Sequence, residues 1–228
     1  MNGAAAELRR YRELGREGGL AAGLGAVLAG LDVAGVAPGG VAVLPTAVLA
    51  GQVGAGQVEA GQVEAGQVEA GQVEVLPHPF AGLEGLSLVR FAARSAGAGT
   101  GAGLTGRYAA ALAAVRIGVL SRMVDAAVAR LEARRFGGLP LIERQLVGGA
   151  LADVVTEIEV AAAAAAHGDM PAEAAWAQHE RLTEAGWATT RLFGAEGYLI
   201  DHPVRSLHLS ALTADLWLPR PSATEGVR

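Results

Sequence analysis

The second half of the chain places apolar residues at every third or fourth position, which is the spacing of helices that bury one face. The pattern predicts four helices, at about 104–135, 140–167, 171–194 and 203–217. Because long helices with short connections pack against their neighbours in the chain, residues 103–218 are predicted to form an antiparallel four-helix bundle. Residues 219–228 follow the bundle as a tail.

The first half, residues 1–102, has a different pattern, with glycines, prolines and short valine-rich runs. One helix is predicted at about 4–14. Strands are predicted at 41–44, 73–76 and 86–91, each with Gly or Pro close by. The predicted fold is therefore mainly α, a four-helix bundle preceded by a small region of strands and loops.

A tandem repeat occupies residues 50–74, between the first two predicted strands. The pentapeptide Ala-Gly-Gln-Val-Glu occurs four times in succession after one imperfect copy. A pentapeptide-repeat β-helix needs a large apolar residue at a fixed place and more copies than these. Because a period of five matches neither a strand nor a helix, the favoured interpretation is an expanded surface hairpin loop. The β-helix is the alternative.

Composition narrows the possible functions. Of the residues, 51% are hydrophobic but only 4% aromatic, so the core must be built mainly from Ala, Leu and Val. The net charge of −5 argues against a nucleic-acid surface. The absence of cysteine excludes disulfides and thiolate chemistry.

No membrane or export segment is predicted. The apolar run at 20–48 contains six glycines, two prolines and one aspartate, which makes it a poor membrane span. Mixed charges open the chain where a secretory signal would need an apolar stretch. A cytoplasmic protein is therefore expected.

Residues 134–145 carry a first motif, Arg-Arg-Phe-Gly-Gly-Leu-Pro-Leu-Ile-Glu-Arg-Gln, followed by Leu-Ala-Asp at 151–153. This order resembles the acyl-CoA dehydrogenase signature, in which an Arg ends a long helix and Phe-Gly, Pro, Gln and Leu-Ala-Asp/Glu follow. Aligned without gaps, Arg134 and Gln145 fall on family positions, although the Phe lies one place early. Gly118 also matches a helix glycine of the family.

Residues 193–204 carry a second motif, Phe-Gly-Ala-Glu-Gly-Tyr-Leu-Ile-Asp-His-Pro-Val. It is similar to the family's Gly-Gly-x-Gly-Tyr turn, which precedes a Pro-Val and the last bundle helix. With the helix count and the separation of the two motifs, the resemblance covers about 72–218. It implies a flavin-dependent oxidoreductase acting on an acyl-CoA or an acyl-carrier-protein thioester.

The resemblance also implies an FAD site. In the family, the Arg and Gln of the first motif and the glycine turn hold the pyrophosphate and adenosine of FAD, largely across a subunit interface. Carried over, these residues are Arg134, Gln145, Gly194, Gly197 and Tyr198. The alternatives are that Arg134 is a solvated helix end, where a cation is favoured, and that the glycines form an ordinary helix cap and turn.

The family's usual catalytic carboxylate is missing. Its reaction removes a proton alpha to a thioester and needs a carboxylate base. In the position after the last bundle helix, where the family places this Glu, the chain has Leu218. A minority of the family place the base at the head of the first bundle helix, but residues 105–109 contain no carboxylate. His208 and Glu196 are the two residues considered as substitutes for this base. The alternatives are that His208 is an ordinary histidine and that Glu196 is a solvated carboxylate.

A metal site in the bundle is not expected. His179 lies near Glu173, Glu180 and Glu184, but a di-metal bundle needs Glu-x-x-His on two helices, and the chain has no such pair. These residues are interpreted as surface charges.

Two functions are consistent with the sequence. The first is a shortened acyl-CoA dehydrogenase-like flavoprotein that binds FAD as a homo- or heterodimer. The second is a non-catalytic subunit that completes the FAD site of a full-length partner. The missing base favours the second function, as does the short region before the bundle, which lacks the family's full N-terminal and β-domains.

Overall fold

A computed structural model describes residues 2–53, 73–91 and 102–220. Most of the repeat, residues 54–72, lies outside this part, so neither interpretation of the repeat is tested. The end of the tail, residues 221–228, also lies outside it.

The region before the bundle combines helices with a three-stranded sheet. Its elements are α1 (Asn2–Glu17), α2 (Gly19–Leu28), α3 (Val33–Val36), β1 (Val41–Pro45), α4 (Thr46–Val53), β2 (Val73–Leu76) and β3 (Leu86–Phe91). The three predicted strands are confirmed, and the first helix is longer than predicted. The strand order is β1-β3-β2, with both pairs antiparallel. Because β3 lies between β1 and β2, the two strands on either side of the repeat in sequence do not pair with each other.

The sequence pattern does not predict helix α2. It contains only Gly, Ala, Leu and Val, so it has no polar face to produce a helical period. Its buried side chains include Leu20, Leu24 and Val27, and it packs against β1 and the longest helix of the bundle. The tertiary contacts on both sides explain why this apolar, glycine-containing segment is helical.

The four predicted bundle helices are confirmed with shorter bounds. They are α5 (Gly106–Ala133), α6 (Gln145–Ala165), α7 (Ala172–Leu192) and α8 (Arg205–Trp217). The prediction that Pro140 begins the second helix is wrong. Residues Arg135–Phe136 (β4) instead pair with Leu139–Pro140 (β5) across Gly137 and Gly138, which both have positive φ.

Helix α5 lies at the centre of the molecule. It contacts α1 and α2 as well as the other three bundle helices, and every residue from 109 to 121 is buried. Small residues allow the closest of these contacts. A Cβ at Gly118 would lie 2.0 Å from the carbonyl oxygen of Arg12 on α1, and a Cβ at Gly15 would lie 2.2 Å from that of Val115. The glycines therefore let the α1 and α5 backbones touch.

The end of α8 joins the bundle to the sheet. The indole Nε1 of Trp217 donates to the carbonyl oxygen of Val43 at 2.9 Å. The backbone N–H of Leu104, just before α5, donates to the carbonyl oxygen of Trp217 at 2.7 Å. Within the described ranges, no helix is both long and apolar enough to cross a membrane.

Candidate functional site

The two sequence motifs meet at the end of α5. Arg134 Nη2 donates to Glu196 Oε1 at 3.1 Å, and Arg130, one turn earlier, donates to Glu196 Oε2. Glu196 belongs to the turn Gly194–Tyr198 that follows α7. The hydrogen bond from Arg130 and the charges of both guanidinium groups lower the pKa of Glu196. We call Arg130, Arg134 and Glu196 the arginine bracket, since two cations hold one carboxylate between them.

The two predicted glycines have structural roles of their own. Gly194 adopts a φ of +61° directly after α7, a backbone conformation that residues other than glycine rarely adopt. A Cβ at Gly197 would lie 2.6 Å from the carbonyl oxygen of Thr190. Both glycines are thus needed to fold the turn against the end of α7, whether or not a ligand binds there.

The other predicted cofactor residues are exposed. Gln145 is the first residue of α6, and in the described part of the chain its side chain forms no hydrogen bond. It follows the short turn in which the N–H of Leu141 donates to the carbonyl oxygen of Arg134 at 2.8 Å. Tyr198 lies in the turn with Glu196 and is also exposed. The structure therefore brings Arg134 and the glycine turn together, while Gln145 is linked to Arg134 only through the hairpin.

The two segments in which the resemblance leads us to expect a base, at the end of α8 and at the head of α5, lie side by side. Leu218 is 2% exposed, and the Leu104–Trp217 hydrogen bond holds the end of α8 beside the head of α5. Neither position has a carboxylate. Of the substitutes considered, Glu196 is held in the arginine bracket, and His208 packs its ring against Phe80 and Trp187.

A buried polar network inside the bundle was not predicted. Arg116, 2% exposed, donates from Nε to Ser210 Oγ and from Nη2 to Thr183 Oγ1. Its Nη1 donates to both Nδ1 and the carbonyl oxygen of His179, each at 2.9 Å. Because Nδ1 must accept, Nε2 carries the proton and donates to the carbonyl oxygen of Ala109 at 3.2 Å.

The prediction that His179 is a surface charge is wrong. Burial, and secondarily the charge of Arg116, lower the pKa of His179 to about 3, so its ring is neutral. Glu173, Glu180 and Glu184 are exposed as predicted. In the ranges that the structure covers, no three His, Asp or Glu side chains are grouped as metal ligands.

Two cavities lie near these two segments. The first, which we call the head cavity, has a volume of about 440 Å³ and lies between α1, α2 and the head of α5. Its polar lining residues are Glu7, Tyr11, Arg107 and Tyr108. The second, the α7–α8 cavity, has a volume of about 310 Å³. Its lining includes Leu218, two tryptophans and three carboxylates, namely Trp176, Trp187, Glu180, Glu184 and Asp215.

One family model matches half of the chain. Residues 105–218 match the model of the acyl-CoA dehydrogenase C-terminal domain. No curated protein matches the chain.

Solved structures of greater length match part of the chain. FkbI, for biosynthesis of the methoxymalonyl extender unit of a polyketide, is 22% identical over 63% of this chain and 45% of its own, with a TM-score of 0.46. A putative acyl-CoA dehydrogenase from Mycobacterium smegmatis is 20% identical over 61% and 44%, with a TM-score of 0.44. The prolyl acyl carrier protein oxidase AnaB is 15% identical over 62% and 44%, with a TM-score of 0.41. The chain thus spans less than half the length of these proteins.

Proposed function

This chain belongs to the acyl-CoA dehydrogenase family. From that premise we propose that it is a shortened flavoprotein acting on the CH–CH group of an acyl thioester. The observation that carries this proposal is the arginine bracket. It unites the two motifs that hold the FAD pyrophosphate in the family, although they are about 60 residues apart in sequence.

The bracket has the chemistry that a pyrophosphate requires. Two guanidinium groups that converge on one carboxylate can also converge on a phosphate, whose oxygens accept in the same forked geometry. The Arg134 side chain is 56% exposed, so a ligand can reach it from solvent. Arg134 would hold the pyrophosphate, Gly194 and Gly197 would shape the turn, and Gln145 and Tyr198 are the further FAD candidates that family membership implies. Bound FAD would supply the hydride acceptor.

A second function, the non-catalytic subunit, is favoured by the surface around the bracket. Phe136 and Leu139 in the hairpin after Arg134 are exposed, as are Leu199 and Ile200 after the turn. Exposed apolar groups of this kind mark interaction surfaces. A full-length family member or a second copy of this chain that covered them would complete the FAD site across the interface.

A titration with FAD tests the first function. The purified protein, alone and after addition of FAD, is examined by visible absorption, and butyryl-CoA is then added without oxygen. We expect a protein-bound flavin spectrum that bleaches with the thioester. Arg134→Ala should weaken FAD binding by at least about tenfold, because a charge-assisted hydrogen bond is lost.

The matched control is Arg181→Ala. Arg181 is a similarly exposed arginine that pairs with Glu157 on another surface of the bundle. This variant should bind FAD as the wild type does. Uptake of FAD without bleaching would favour the non-catalytic subunit, whereas a protein that takes up no FAD alone or with a full-length relative would contradict both functions.

A further inference from the structure

Two indole rings line the α7–α8 cavity. Trp176 and Trp187 contribute them from α7, and Leu218 lines the cavity from the end of α8. Trp187 is 44% exposed and Trp176 is half-buried, although tryptophan side chains are on average highly buried. Among the described lining residues, none is assigned to FAD. A space of about 310 Å³ with accessible aromatic walls is suited to a small molecule.

The lining residues of α7 follow the axis of that helix. Trp176, Glu180, Glu184 and Trp187 recur at every third or fourth position, so they lie on one face of α7. From Trp176 to Trp187 the helix axis rises by about 16 Å. Asp215 lines the same cavity from α8. A ligand that contacts both indoles is therefore long and narrow, and it passes the carboxylates between them.

The charged residues that line this cavity are all acidic. They are Glu180, Glu184 and Asp215. In the part of the chain that the structure describes, none of the three forms a hydrogen bond or an ion pair with another side chain. His179 also lines the cavity, but burial and the charge of Arg116 lower its pKa to about 3, so the ring is neutral. The lining therefore has no positive charge of its own.

The arginines near this cavity are held by other groups. Burial lowers the pKa of Arg116 to about 9, which leaves it charged at neutral pH, but its guanidinium donates to neutral acceptors inside the bundle. Arg181 donates to both carboxylate oxygens of Glu157. The C-terminal end of α8, at Trp217, adds the partial negative charge of its last carbonyl groups. Negative charge is thus in excess at the opening.

The aromatic walls and the carboxylates attract the same class of ligand. A cation over the face of an indole is attracted by the ring, and hydrocarbon packs on the same surface. The carboxylates attract a cation at longer range. A metal ion would use the carboxylates alone, and within the described ranges they are not grouped as ligands of one metal ion. A ligand that uses both features carries ammonium groups on a hydrocarbon chain.

We propose that the α7–α8 cavity binds an aliphatic polyamine. Its ammonium groups pair with Glu180, Glu184 and Asp215, and its methylene groups pack on Trp176 and Trp187. Three or four methylene groups separate consecutive ammonium groups of such a molecule, a spacing comparable to the rise of about 6 Å from Glu180 to Glu184. The assignment goes beyond the proposed flavoprotein function and does not rest on it.

A calorimetric titration with spermidine at low salt tests this site, with Mg²⁺ as the comparison cation. Spermidine should bind at least about tenfold more tightly than Mg²⁺, because a hydrated metal ion gains nothing from the indoles. Raising the salt concentration should weaken spermidine binding, since the carboxylates are exposed. Tryptophan fluorescence should change on binding through Trp176 and Trp187, because Trp217 is fully buried.

The carboxylates are tested with a matched pair of variants on α7. Glu184→Gln should weaken spermidine binding by about threefold, because one exposed ion pair is lost. Asp215→Asn should do the same from α8. The control is Glu173→Gln, which removes an equal charge from an exposed position of α7 outside the cavity lining and should bind as the wild type does.

The aromatic wall is tested at Trp187, whose exposure makes a folding defect easy to avoid and to detect by thermal unfolding. Trp187→Leu keeps an apolar side chain but removes the aromatic face, so spermidine should bind about three- to fivefold more weakly. Mg²⁺ binding should not change. Trp187→Phe retains an aromatic face and should recover part of the loss.

Three results would overturn the assignment. The first is a wild type that does not bind spermidine. The second is equal binding of spermidine and Mg²⁺ that Trp187→Leu leaves unchanged, which would mean an acidic surface only. The third is an equal effect of Glu184→Gln and Glu173→Gln. Because the titration contains neither FAD nor a thioester, these results leave the proposed flavoprotein function to its own test.

Discussion

Helix α5 holds arginines in opposite surroundings along its length. In its first half, Arg116 is enclosed by α7 and α8 and donates to hydroxyl, imidazole and carbonyl acceptors that are all neutral. In its last turns, Arg130 and Arg134 hold the carboxylate of Glu196, and Arg134 is open to solvent. One residue type on one helix thus forms a structural network where it is enclosed and an anion site where it is exposed.

The difference between the buried and the exposed arginines indicates where a ligand can bind in this fold. A buried guanidinium whose N–H groups are already used has little left to offer a ligand, and disturbing it costs stability. An exposed guanidinium paired with a carboxylate can exchange that partner for another anion. Substitution of the buried Arg116 should therefore affect folding, and substitution of the exposed Arg134 should affect binding.

Arg116→Ala should produce the largest effect. It removes four hydrogen bonds, leaves the Nδ1 of His179 and the hydroxyl of Ser210 without their donor, and opens a void in the bundle. We expect a loss of about 3–5 kcal/mol in the free energy of unfolding, measured by urea denaturation. The comparison is Arg181→Ala, an exposed arginine of α7, which should leave the denaturation midpoint unchanged. An equally small change for Arg116→Ala would contradict the buried network.

The sequence predicts the bundle well because its helices carry a clear apolar period. It does not predict α2, whose residues are apolar on every side, or the burial of His179, since one histidine among exposed glutamates has no pattern that indicates an enclosed ring. The two motifs indicate Arg134 and the glycine turn. They could not indicate how closely α1 packs against α5, because that depends on backbone contacts as local as the one at Gly118.

Acidification should reveal the buried network of Arg116 through His179. The folded-state pKa of about 3 lies below the ordinary value of about 6.5, so the unfolded chain takes up a proton that the folded protein does not. The contribution of His179 is fully present above pH of about 6.5 and is lost as pH falls toward 3. We expect a loss of about 2 kcal/mol between pH 7.5 and 5, measured by urea denaturation at each pH.

The matched variant for this prediction is His179→Gln. The amide can accept from Arg116 and donate to the carbonyl oxygen of Ala109, yet it does not titrate. Its unfolding free energy should fall less on acidification than that of the wild type. His167→Gln, which replaces an exposed histidine, should follow the wild-type curve. If His179→Gln and the wild type have the same slope, the ring is not kept neutral by burial.

Glu196→Gln should have the smallest effect on folding and a distinct effect on binding. The half-exposed ion pairs contribute little to stability, because solvent screens them. Removing the carboxylate charge frees two converging guanidinium groups, so inorganic pyrophosphate should bind about tenfold more tightly at low salt, measured by calorimetric titration. Glu157→Gln is the control, since among the described residues Glu157 pairs with one arginine, Arg181, and its loss creates no convergent pair. Equal pyrophosphate affinities in the two variants would mean that Arg130 and Arg134 do not form an anion site.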